Sequence, residues 1–145
     1  MRNSFDRPAG RGWSRTLGAF AVAACLGTAS AAAGQIPGNA TSLEGLPTVR
    51  IDTTQDGATR RELGGAEAAA NRLRIRIVDG RYYQAGRDRP LTVSTAGEFT
   101  YLLSDEPGRY VRFRRLNDRL TYVEHVDMAA GSVTFWGELR IGLGK

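Results

Sequence analysis

Residues 110–126 read Tyr-Val-Arg-Phe-Arg-Arg-Leu-Asn-Asp-Arg-Leu-Thr-Tyr-Val-Glu-His-Val, and the fold is decided here. Successive side chains on a strand point to opposite faces, so period-two alternation marks a half-buried strand. A two-residue turn at Asn117-Asp118 sets Arg115 opposite Leu120, Phe113 opposite Tyr122 and Val111 opposite Glu124. That register collects Val111, Phe113, Leu120 and Tyr122 on one face. Tyr110, Arg112, Arg114, Thr121, Val123 and His125 fall on the other. Slipping by one residue would mix apolar with charged, which gives the pairing its specificity.

The same period extends in both directions. Toward the C-terminus, Val133, Phe135, Gly137, Leu139, Ile141 and Leu143 share one face, with Thr134, Trp136, Glu138 and Arg140 on the other. Gly137 lies among the inward positions, where a missing side chain allows a bulge or sharp coil. Toward the N-terminus come Phe99, Tyr101 and Leu103, then Leu91 and Val93, with Ala96-Gly97 and Pro107-Gly108 as turns. Earlier still, Leu73, Ile75 and Ile77 alternate with Arg72, Arg74 and Arg76. Asp79-Gly80 then predicts a tight hairpin to a strand carrying Tyr82 and Tyr83. Short strands joined by tight turns predict a mostly β domain over 72–145, an antiparallel up-and-down meander. A small barrel or strongly coiled sheet is the expected form, and a two-sheet β-sandwich is the alternative.

Residues 34–71 read differently. Gln35 to Ser42 is turn-forming and poor in apolar residues, as in a flexible leader. Val49 and Ile51 alternate with polar neighbours, which predicts one short strand, and Ala66–Asn71 has the composition of a short helix. Residues 1–33 carry Arg2, Arg7, Arg11 and Arg15 ahead of an apolar run from Thr16 to Ala33 that ends in small residues. This is the pattern of a cleaved signal peptide, so a periplasmic or extracellular location is expected, with no membrane span after cleavage. A second reading makes the leader a lipoprotein signal, because Val22-Ala23-Ala24 approaches Cys25 as small residues approach a lipid-attached cysteine.

The charge balance narrows the function classes. The chain carries +5 overall. Four of its 20 Lys+Arg and one of its 15 Asp+Glu lie in residues 1–33, which leaves 16 against 14, a net of +2. A nucleic-acid partner requires a concentrated basic footprint, so none is expected. Cys25 is the single cysteine and His125 the single histidine, so neither a thiol nucleophile in residues 34–145 nor a multi-histidine metal centre can be assembled. A serine triad would need His125 and Asp127 beside Ser94, Ser104 or Ser132, but no nucleophile-elbow sequence surrounds those serines. Gly64-Gly65 lacks the lysine and hydroxyl of a phosphate loop, and no cofactor is expected. Asp105-Glu106-Pro107-Gly108 reads as a solvated turn.

The polar face remains. Arg72, Arg74, Arg76, Arg112, Arg114 and Arg140 are expected to line up with Tyr110 and Trp136, with Glu124 and Glu138 pairing to some of them. Guanidinium groups grip carboxylate or phosphate, and aromatic rings stack on sugar faces. Tyr110, Arg112, Arg114, Trp136 and Arg140 are therefore the candidate ligand-binding residues. The expected role is a non-catalytic binding module for an anionic or sugar-containing envelope component on that face, or for a small apolar molecule inside among Phe113, Tyr122, Phe135 and Leu139. The alternative is a structural or adapter subunit that meets a protein partner through an exposed edge strand.

Overall fold

Alternation in the sequence becomes a single curled sheet in the computed structural model, which describes residues 35–144. The proposed signal, with Cys25, lies outside the described residues. The strands are β1 (Ala40–Thr54), β2 (Gly57–Glu62), β3 (Leu73–Val78), β4 (Arg81–Gln84), β5 (Thr92–Ala96), β6 (Phe99–Leu103), β7 (Arg109–Leu116), β8 (Arg119–Met128) and β9 (Gly131–Leu143). One short helix, α1 (Gly65–Ala70), separates β2 from β3. Eight strands follow the order β4-β3-β1-β9-β8-β7-β6-β5, and β2 pairs with β1 beside that path. All pairs are antiparallel.

In chain order the first of these strands pairs with the last, β1 against β9, as in an up-and-down barrel. The seam lies between β4 and β5. There the link is one bridge, Tyr83 to Pro90, and the Leu91 N–H donating to the Tyr82 carbonyl at 2.7 Å. The sheet is thus nearly closed into a barrel, and one sheet rather than two encloses the core.

The 110–126 hairpin has the predicted register, with Arg115, Phe113 and Val111 opposite Leu120, Tyr122 and Glu124. At the earlier turn Asp79 has φ 49° and Gly80 φ 72°, the left-handed pair that matches strand twist in a tight hairpin.

The flexible-leader expectation for 34–71 is corrected for most of its length. Residues 40–54 form the longest strand, running beside β9 along nearly its whole length. Its first half pairs with β3 on the opposite side and its second half with β2. The alternation is present but carried by Ala40, Leu43, Gly45 and Pro47, all buried. Three of these four are small or ring-closed residues that do not read as strand formers. Neighbouring strands supply the burial that their side chains lack. The short helix appears at Gly65–Ala70, with Ala68 buried and the helix packed against β1.

The core fills the barrel. Leu43, Leu73, Ile75, Leu102, Val111, Phe113, Leu120, Tyr122 and Leu139 form one contiguous buried cluster. Two glycines make this possible. A Cβ on Gly45 would lie 2.6 Å from Tyr122 Cζ, so the absent side chain is the space the ring occupies. Gly137 faces a register shift in β1 between Pro47 and Val49. The Leu46 carbonyl passes close enough there that any Cβ would collide with backbone. The coil expected at Gly137 is thus realised by a bulge in its partner strand.

Candidate functional site

The register builds the outer face row by row. Tyr101, Arg112, Val123, Trp136 and Val49 are successive cross-strand partners from β6 to β1. The next row holds Arg114, Thr121, Glu138 and Leu46. Because neighbouring strands lie about 4.8 Å apart, Arg112 and Trp136 stand roughly 10 Å from each other along one row. Between them the surface dips into a groove of about 450 Å³, lined by Phe99, Arg112, Arg114, Val123, Trp136 and Glu138 among others.

Arg112 Cζ lies 5.2 Å and Arg114 Cζ 5.1 Å from the centroid of the Phe99 ring. The ring orders both cations. Arg114 pairs with Glu98 at 3.2 Å, but that glutamate is mostly exposed and holds it weakly. Arg112 makes no salt bridge among the described residues, and its Nε is buried without a hydrogen-bond partner. Trp136 remains 43 % exposed among the described residues, a large aromatic surface at the groove.

Of the five candidate residues, Arg112, Arg114 and Trp136 come together around this groove. Tyr110 lies one row away on the same face, stacked on His125 with centroids 5.1 Å apart. Arg140 leaves the group, because its cross-strand partner is Glu44, which also faces Arg74 on β3. The expected line of six arginines is therefore divided. Arg74 and Arg76 sit on β3 and Arg72 just before it, with β1, β9 and β8 between β3 and β7. Sequence separation gave no means of seeing that β1 intervenes. Phe99 was missed as a site residue: on β6 the buried positions are Thr100 and Leu102, which turns Phe99 and Tyr101 to the outer face.

The carboxylates also sort differently from the expectation. Glu138 accepts from Arg119 at 2.8 Å. Glu124 is inside, where its pairing with Val111 requires it to be, and it accepts from Arg109 Nη2 at 3.0 Å. His125 contacts Thr134 Oγ1 through Nδ1 and Asp127 Oδ1 through Nε2, each at 3.0 Å. The hydroxyl beside the histidine is thus a threonine, and none of the three serines considered above takes that place. Among the described residues no cluster of His, Cys, Asp and Glu could hold a metal ion.

Inside, burial pushes the Tyr122 hydroxyl well above its ordinary value near 10, and the Glu124 carboxylate adds to the shift. Burial also raises Tyr82. The cavity within the apolar core, lined by residues such as Leu73, Ile75, Leu102 and Val111, measures only about 10 Å³. That is about the space of a single water. No helix of the described residues is long and apolar enough to cross a membrane.

Fold and groove together define a small antiparallel, nearly closed β-barrel with an arginine-aromatic cleft on its outer wall. No protein-family model, curated protein or solved structure matches the chain. The functional reading therefore rests on the chemistry of the groove.

Proposed function

We propose that this protein is an exported, non-catalytic binding module whose outer groove takes an anionic saccharide of the cell envelope. The carrying observation is Arg112, ordered on Phe99, without a carboxylate partner, in the same cross-strand row as the exposed Trp136. Among the described residues no carboxylate neutralises the Arg112 charge, so that role falls to a ligand. A carboxylate or phosphate group does so in bidentate geometry, and the adjoining sugar ring lays its C–H face on the indole. Arg114 adds a second cation, and Glu138 at the groove wall accepts from sugar hydroxyls. The leader with its small-residue terminus supports an envelope location.

The packed interior favours this face over an internal apolar ligand. The adapter reading rests on β2, which pairs only with β1 and leaves its other edge unpaired in the sheet. Arg60, Arg61 and Glu62 on that strand are the charges that guard an edge against pairing.

Affinity electrophoresis in gels containing polygalacturonate, with dextran as the neutral control, tests the reading. The protein should be retarded by the acidic polymer only, less so as salt rises. Arg112→Ala and Trp136→Ala should each weaken the interaction about tenfold, which is about 1.4 kcal/mol. Equal retardation by dextran, or no change in either variant, would overturn it.

A further inference from the structure

The outer groove is short, and its two ends differ. Its outward-facing lining falls in the two rows described above, about 7 Å apart along the strands. The row beyond holds Tyr110, His125 and Thr134, successive partners on β7, β8 and β9, and none of them lines the groove. Val123 at the groove floor shows why. It faces outward, yet it is only 8 % exposed. An outward valine is covered to that extent only where larger neighbours overhang it. Arg112 and Trp136 do so across the strands, and along β8 the neighbours on the same face are Thr121 and His125. The imidazole is the larger of these two and stands where the floor ends.

That ring is held from three sides. Nε2 lies 3.0 Å from Asp127 Oδ1, Nδ1 lies 3.0 Å from Thr134 Oγ1, and Tyr110 stacks against the ring with the planes 25° apart. A carboxylate only accepts, so the Nε2–H donates to Asp127. Asp127 is tied in turn, its own N–H donating to the Gly108 carbonyl at 2.9 Å. The imidazole cannot turn aside without giving up all three contacts. The opposite end of the groove has no such wall. Glu138 is held there by Arg119, and both side chains are more than half exposed. An exposed pair of this kind is weak and yields to an incoming chain.

We propose that the groove takes the end of an anionic saccharide chain, and that His125 is the residue that excludes internal segments. The inference rests on the saccharide reading above and adds which part of the chain is bound. The chain enters over Arg114 and Glu138. Its terminal residue stops against the imidazole, with its anionic group on Arg112 and its ring on Trp136. A chain that continued past this point would have to climb over His125 and Tyr110, lifting the residue at Arg112 away from the guanidinium. Polygalacturonate is therefore bound through its termini.

Calorimetric titration of the unaltered protein with galacturonate trimer and decamer tests this, in about 0.3 M salt so that charges beyond the groove are screened. Each chain should bind one protein molecule, with affinities per chain that agree within about twofold. Internal recognition would differ, because a decamer offers about nine overlapping two-residue segments and a trimer about two, which makes the decamer about fourfold tighter per chain. His125→Ala should produce that fourfold preference for the decamer while the trimer affinity stays close to its original value. Arg112→Ala should weaken both oligomers by the same factor. Several protein molecules per decamer, or a tighter decamer with the unaltered protein, would overturn the end wall, while an equal loss in Arg112→Ala would still uphold the saccharide reading. A flat length profile in His125→Ala would overturn the role given to His125. Binding of neither oligomer would overturn both readings. If His125→Ala does not fold, the stoichiometry and length profile of the unaltered protein decide the matter.

Discussion

Gly45→Ala tests the packing that holds the barrel closed. A Cβ at this position would sit 2.6 Å from Tyr122 Cζ, 2.7 Å from Cε1 and 3.0 Å from the hydroxyl oxygen. Carbon atoms in contact prefer about 3.5–4.0 Å, so the ring must retreat by roughly 1 Å. It has little room to do so, because Tyr122 is only 2 % exposed and packed within the core cluster. Overpacking of this kind costs about 1–3 kcal/mol. Alanine recovers about 0.5–1 kcal/mol by restricting the unfolded chain and favouring an extended backbone. The net expectation is a loss of about 1–2 kcal/mol. For a domain of this size that lowers Tm by about 4–10 °C. Urea unfolding followed by circular dichroism reads the difference directly, provided the slope is unchanged. The same substitution on a Tyr122→Leu background should cost nothing or stabilise slightly, because the clashing ring is gone. An unaltered or raised stability for Gly45→Ala alone would refute the placement of Tyr122 over Gly45, and with it the curvature assigned to this wall.

Other outcomes follow from the same interior. The Tyr122 hydroxyl is buried without a partner, so Tyr122→Phe should stabilise the protein by about 1 kcal/mol in urea unfolding; a loss would reveal an acceptor at that oxygen. Tyr122 and Tyr82 ionise at higher pH in the folded than in the unfolded chain. Their contribution is complete below pH about 10 and falls as pH rises toward the folded values, because only the unfolded chain releases those protons. The slope approaches about 1.4 kcal/mol per pH unit for each tyrosine. Stability that stays flat from pH 9 to about 11.5 would contradict their burial.

Much of the sheet was legible because its side chains are large and alternate without interruption. Val111, Phe113, Leu120 and Tyr122 leave one register that keeps arginine out of the core, and the pairing follows from that exclusion alone. The outer members of the site, Arg112, Arg114 and Trp136, were legible for the same reason, since period two assigns a face. Residues 40–54 were not. Gly45 and Pro47 are inward positions whose lack of bulk makes sense only against the Tyr122 ring and the bulge opposite Gly137. Their signal belongs to the partner rather than to the strand. Phe99 stayed hidden as a site residue because its role depends on two arginines of another strand meeting over its ring.

For β3, β7 and β9 the sequence by itself determined which residues alternate, where the tight turns fall and which face is charged, because these depend on neighbours in the chain. The tertiary structure alone decided which strands stand side by side. By seating β1 between β3 and β9 it parted the arginines of β3 from those of β7, and it set Arg112 across the groove from Trp136. Strand adjacency is a long-range outcome of closing the sheet around one core, and local periodicity carries no information about it.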